Sequence, residues 1–240
     1  MNTSFADIEK KENRKDLIIS ICVFLSGFSC FAQLYYFQPL LPDLAKDFIL
    51  SASESSFAIS FSTLGMVFGL FTTMFVADRI PRKKMIGTGL LSSSIFSVAA
   101  SFSPTFLPLI LLSAAKGFLL SGATSVSMAY IAEEVSSRNK GKIMGLYIAG
   151  NALGGMAGRV ISSWIGALYT WRIASVSIGL ICALFAILFL LFSPRSTNFM
   201  PRKESFHTLI IANLQLITSK ALIPFYLTGG LILGVFVSLY

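Results

Sequence analysis

Charged residues punctuate the chain, and long apolar stretches run between them. Asp16 to Asp43 encloses 26 uncharged residues, Glu54 to Asp78 encloses 23, and Lys84 to Lys116 encloses 31, broken by Ser103-Pro104-Thr105. Arg172 to Arg195 encloses 22, and 20 follow Lys220. Two further runs, 105–132 and 143–168, carry one charge each, Lys116 and Arg159. One membrane-crossing helix needs roughly 20 apolar residues, and in lipid only helices and closed barrels satisfy their own backbone. The pattern predicts an all-α, multi-pass transmembrane bundle of about seven spans, near 17–41, 55–77, 85–102, 105–131, 143–168, 172–193 and 221–240.

Composition narrows the class. The 240 residues are 55% hydrophobic and 12% charged, where a soluble domain carries about 25% charged residues. A soluble globular domain, a disordered chain and a nucleic-acid module are excluded. The net charge of +8 reflects where the basic residues sit. The N-terminus holds Lys10, Lys11, Arg14 and Lys15; the second linker holds Arg79, Arg82, Lys83 and Lys84; Arg138, Lys140 and Lys142 mark the fourth, and Arg195, Arg202 and Lys203 the sixth. The alternate linkers hold Lys46 and Arg172 with the acids Asp43, Asp47 and Glu54. The positive-inside rule then predicts a cytoplasmic N-terminus in the inner membrane. The expected organisation is a cytoplasmic segment 1–16, a six-helix unit 17–193, a cytoplasmic linker 194–220 and a seventh span 221–240. Within the linker, 205–219 is apolar enough to lie along the membrane surface. No cleavable signal peptide is evident.

Tyr35, Tyr36, Trp164, Tyr169 and Trp171 fall at the outer ends of spans, as an interfacial aromatic belt would. Cys22, Cys30 and Cys182 lie in apolar runs with neither disulfide nor metal-ligand spacing, and His207 stands alone in a charged linker. No metal or cofactor is expected.

Two motifs carry a family resemblance. Ala77-Asp78-Arg79-Ile80-Pro81-Arg82-Lys83-Lys84 resembles the G-x-x-x-D-R-x-G-R-K loop of the major facilitator superfamily. In span five, the stretch from Gly145 through Gly150, Asn151, Gly154, Gly155 and Gly158 to Arg159 is similar to the glycine motif of its antiporters, usually G-P-x-x-G-G. Together they resemble the drug and sugar (arabinose-type) efflux permeases. Met74 and Pro81 stand where the loop motif has glycines, Asn151 where span five has proline, and Ser113 where span four often has arginine.

The resemblance implies twelve spans in about 400 residues, so these seven amount to an N-terminal half plus one span. It implies that Arg82 reaches an acid at the inner end of span four, Glu133 or Glu134, and that Asp78 faces a helix N-terminus in a second half. With Arg79 and Lys83 these residues would form a cytoplasmic latch that opens during alternating access; the plainer reading makes the basic residues topology anchors. Gly150, Gly154 and Gly158, with Gly155 adjacent, place small residues on one helix face, and Gly65 and Gly69 repeat the device in span two. They suit tight packing or a span that slides against the opposite half.

Lys116 lies 11 residues from Thr105, about 17 Å along a helix and near the midplane. A cation there costs at least about 2.5–3.5 kcal/mol, so Lys116 is expected to face a watery cavity or an acid. No Asp or Glu lies within any span, which would put a carboxylate partner in the missing half. Arg159 is either an outward anchor or a cavity residue. Gln33, Tyr36, Gln38 and Asn151 are further candidates for contact with a small-molecule substrate.

The expected function is membrane transport, not enzymatic: efflux of a small organic solute or drug by alternating access, with protons as coupling ion in the resemblance. The partners are the lipid bilayer, the solute, and the missing C-terminal half or another copy. A truncated remnant that transports nothing is the main rival, and by itself the chain is expected not to transport. A membrane-embedded enzyme is the rival from another class, and would need convergent catalytic groups at one depth.

Overall fold

The computed structural model describes residues 5–201, 215 and 218–238. Helices occupy all seven segments that the charge pattern predicts, and no strand occurs among the described residues. The chain divides into two units, 1–201 and 202–240. In the first, α1 (Phe5–Tyr35), α4 (Phe57–Val76), α5 (Arg82–Ser101), α6 (Phe106–Glu134), α7 (Lys140–Leu168) and α8 (Trp171–Phe192) are the long helices, with short α2 (Leu41–Asp47) and α3 (Ala52–Ser55) between α1 and α4. In the second, α9 runs Ile223–Ser238. His207 and most of the 205–219 stretch lie outside the described residues.

Among the described residues, four stretches are long and apolar enough to cross a membrane: Glu12–Asp47, Ala52–Arg79, Phe106–Glu134 and Trp171–Phe192. α5 and α7, at 20 and 29 residues, are as long as spans but more polar. Both turn small residues inward. Ser93, Ser94, Ser97 and Ser101 of α5 are buried, as are Gly150, Gly154, Gly155 and Gly158 of α7.

Local chemistry sets the helix ends. α1 stops at Tyr35, the chain turns through a 3-10 segment at Gln38–Leu40, and α2 resumes the direction. Pro39 and Pro42 each lack an amide hydrogen and disfavour helix in the residue before them. Ser51 caps α3 in a capping box, its hydroxyl accepting from the Glu54 amide while the Glu54 carboxylate accepts from the Ser51 amide. Thr170 caps α8 by accepting from the Ile173 amide.

Within the first unit, α1 packs along α7 and α4 along α6, while α5 packs on both α6 and α8. Exchanging the first three long helices for the last three maps the α1–α7 pair onto α6–α4, the pairing expected of two three-helix repeats. Both pairs depend on missing side chains. A Cβ at Gly117 would meet the Ser62 carbonyl, and one at Gly154 the Phe28 carbonyl, each closer than 3.0 Å. The glycine face of span five therefore lies against α1 inside this unit, as do Gly65 and Gly69 of α4 against α6. Two apolar cores result. One, around Ile19, Ile86, Leu120, Tyr130 and Phe189, lies toward the end bearing the basic linkers. The other, around Tyr36, Phe37, Leu44, Leu109 and Trp171, lies toward the opposite end.

Candidate functional site

Two polar constructions stand out: an ion-pair mesh at the basic end and a pair of cations set on aromatic rings deeper in the bundle.

At the basic end the 3-10 turn Ala77–Arg79 delivers Asp78, and Pro81 opens α5 so that Arg82 occupies its first turn. The Arg82 guanidinium donates to Asp78 Oδ1 (2.9 Å), to Glu133 Oε1 (3.1 and 3.2 Å) and to the Ala77 carbonyl (2.7 Å). Of the two acids at the end of α6, Glu133 is the one Arg82 reaches. Asp78 meets Arg82 within its own loop, four residues away. Glu134 does something else: it accepts from Lys15 Nζ (2.9 Å), Thr197 Oγ1 (2.8 Å) and the Asn198 amide (2.7 Å). It thereby ties α1 and the segment after α8 to the end of α6. Lys83 Nζ donates to the Ser193 carbonyl and the Tyr130 hydroxyl to the Pro194 carbonyl, while Phe199 covers the Arg82 guanidinium at 4.9 Å. Arg79 is exposed at the end of the turn. Asp16 accepts from Ser136 and Asn139, closing the mesh between α1 and the α6–α7 turn. Sequence reasoning missed Lys15, Asp16 and the 193–199 segment; each is one polar residue or turn in a charged linker, without a motif around it.

Deeper in the bundle, Lys116 is 1% exposed. Its ammonium lies over the rings of Tyr36 (4.5 Å) and Phe37 (4.8 Å), and Nζ has no hydrogen-bond partner among the described residues. Among the described residues its ammonium is therefore met by aromatic rings. The cause is the interruption of the first span, which turns two consecutive rings into the core, 4.2 Å apart. Arg159, on α7, stacks its guanidinium over Tyr35 at 4.6 Å. Gln33 is fully buried and accepts from Ser97 Oγ (3.1 Å). Asn151 faces α1 at Gly27, and Gln38 sits half-buried in the 3-10 segment. Lys116, Tyr36 and Arg159 thus gather around one break in the first span, while Asn151 belongs to the α1–α7 seam.

The belt expectation divides. Trp164 and Tyr169 are 68% and 67% exposed, as interfacial rings should be, whereas Tyr36 and Trp171 are buried in the core. Trp171 Nε1 donates to Asp47 Oδ2 (2.9 Å), as does Arg172, clasping α2 to the start of α8 at the end opposite the basic linkers. This clasp too went unseen, because its members lie 124 residues apart.

The family model for the Major Facilitator Superfamily matches residues 20–240. The chain is 35% identical over 233 residues to a transporter of Buchnera aphidicola subsp. Schizaphis graminum, covering 97% of this chain and 56% of that protein. It is 35% identical over 223 residues to the inner membrane transport protein YnfM of Escherichia coli, covering 92% and 53% respectively. It is 32% identical over 222 residues to the MFS-type transporter YybF of Bacillus subtilis, covering 92% and 55%. The chain spans about half the length of the curated relatives it matches. With the Asp78–Arg82 loop, the glycine-seamed helix pairs and the repeated three-helix packing in place, the chain belongs to the Major Facilitator Superfamily.

Proposed function

We propose that the chain forms the first half of a membrane transporter that exports a small organic solute by alternating access, coupled to proton entry. A second half completes the translocation path, from the same polypeptide or another copy. The observation that carries this reading is the Asp78–Arg82–Glu133 cluster. It joins the α4–α5 loop to the end of α6 through contacts that water can replace. Such pairs hold one state closed without making it permanent, because partly exposed ion pairs contribute little net stability. In this reading all seven helices span the inner membrane, and the basic end is cytoplasmic by the positive-inside rule.

A chimera tests it. With this chain replacing the matched part of YnfM, proteoliposomes should show saturable counterflow of at least one solute from a labelled panel, with proton movement in the opposite direction. Arg82→Ala should abolish counterflow while leaving insertion intact. Counterflow by YnfM but by no inserted chimera would favour a non-transporting remnant. Orientation is tested separately: single cysteines at Ser4 and Ser196 should resist an impermeant thiol reagent in whole cells, and one at Ser53 should react.

A further inference from the structure

The segment that leaves α8 turns back over the basic end. The Ser193 and Pro194 carbonyls accept from Lys83 Nζ and the Tyr130 hydroxyl. Ser196 Oγ accepts from the Lys83 amide (3.0 Å). Thr197 Oγ1 and the Asn198 amide donate to the Glu134 carboxylate, and Asn198 Nδ2 donates to the Glu133 carbonyl (2.7 Å). Phe199 then covers the Arg82 guanidinium. Residues 194–199 make no backbone–backbone hydrogen bond among the described residues, and Thr197 and Asn198 are exposed. Contacts with α5 and α6, rather than secondary structure of its own, fix the path of this segment.

Two of those contacts fall on helix ends. A helix leaves its first amides and its last carbonyls without partners. Pro81, at the head of α5, supplies no side-chain cap. Ser196 accepts from a first-turn amide in its place, across 113 residues of sequence. At the other end of the cluster α6 stops at Glu134, and Asn198 serves the carbonyl of Glu133. These are the same two helix ends that carry Arg82 and Glu133, the partners of the ion pair.

We propose that residues 193–199 are a positioning strap for the Arg82 cluster, and that strap and ion pairs open and close as one unit. With the strap seated, the first turn of α5 is held and Arg82 lies between Phe199 and Glu133. With the strap displaced, both helix ends lose a partner, and the ion pairs lose the geometry that made them. The strap ends three residues before Arg202, where the second unit begins. The chain therefore links the cluster covalently to whatever displaces that unit. This regulation of the cluster rests on the transporter reading above for its use: a moving second half draws on the strap, and the strap releases the Arg82 cluster.

Hydrogen–deuterium exchange of the purified chain in lipid nanodiscs tests it, read on peptides covering 82–86 and 195–199. Ser196→Ala should speed exchange at the start of α5 about fivefold, the effect of losing a helix cap, and Ser196→Thr, which keeps the hydroxyl, should not. The decisive variants touch one side and are read on the other. The Asn198 side chain bonds the end of α6, yet Asn198→Ala should speed exchange at the start of α5. Thr197→Val, which loses its bond to Glu134, repeats that reading independently. Asp78 bonds Arg82, yet Asp78→Asn should speed exchange in 195–199, by a smaller factor. Circular dichroism checks that each variant keeps its helices. Faster exchange confined to 195–199 and α6 in Asn198→Ala and Thr197→Val, or confined to the α4–α5 loop and α5 in Asp78→Asn, would overturn the proposal. The chimera separates the two readings. Coupled exchange with no counterflow by any inserted chimera keeps the strap and ends the transporter reading, and counterflow with uncoupled exchange does the reverse.

Discussion

The basic end and the break in the first span both hold cations, and they hold them by opposite means. Arg82, Lys15 and Lys83 meet carboxylates and carbonyls. Lys116 and Arg159 meet the faces of three consecutive aromatic residues. Access to water explains the difference. The Asp78 and Glu133 side chains are 40% and 26% exposed, so their pairs with Arg82 can open and be rehydrated at low cost. Glu134, whose side chain is fully buried, instead draws a lysine, a threonine hydroxyl and a backbone amide around it. At the break Lys116 is buried against rings, whose quadrupolar faces compensate a cation. One region matches its cations with hydrogen-bond acceptors and the other with ring faces.

Several substitutions break or sharpen this contrast. The largest effect is expected from Gly154→Leu, which removes both regions at once by prising α7 from α1 at the Phe28 carbonyl. Overpacking a tight core costs about 1–3 kcal/mol or more, and here the obstacle is backbone, so loss of the folded protein in detergent size-exclusion is expected. Glu134→Ala comes next. It strands Lys15 and the Asn198 amide, and hydrogen bonds to a charged group are worth about 1.5–3 kcal/mol each. The melting temperature should fall clearly, and by more than in Asp78→Asn, whose exposed partner contributes about 0–1 kcal/mol.

Lys116→Met sharpens the contrast by its sign. Replacing buried ionic groups with apolar side chains of similar volume is often neutral or stabilising, so thermal stability should hold or rise. Arg82→Met, at the wet end, should lower stability. Matching signs for the two variants would collapse the distinction. The smallest effect is that of salt. Raising ionic strength shortens the Debye length to about 3 Å at 1 M and should loosen the Arg82 cluster, seen as faster hydrogen exchange at the start of α5. Exchange around Tyr36 and Lys116 should not change.

The loop motif and the glycine spacing were legible because each is carried by near neighbours in sequence. Asp78 and Arg82 are four residues apart, and the seam glycines repeat every four. Hydropathy and charge alone placed a helix at every span, since the bilayer demands long apolar runs whatever the tertiary arrangement. The sequence by itself thus determined the all-helical class, the helix positions, the family and the exclusively basic charge of the spans. Which acid Arg82 takes, which helix the glycine seam faces, and what surrounds Lys116 were decided only when the chain folded. Glu133 and Glu134 are adjacent, and the pitch of α6 against α5 sends one to Arg82 and the other to Lys15. Gly154 meets a carbonyl 126 residues away. Lys116 finds rings because two prolines interrupt the first span at the depth where α6 carries its lysine. Such contacts join residues whose sequence separation says nothing of their distance in space, and only the packing of the helices brings them together.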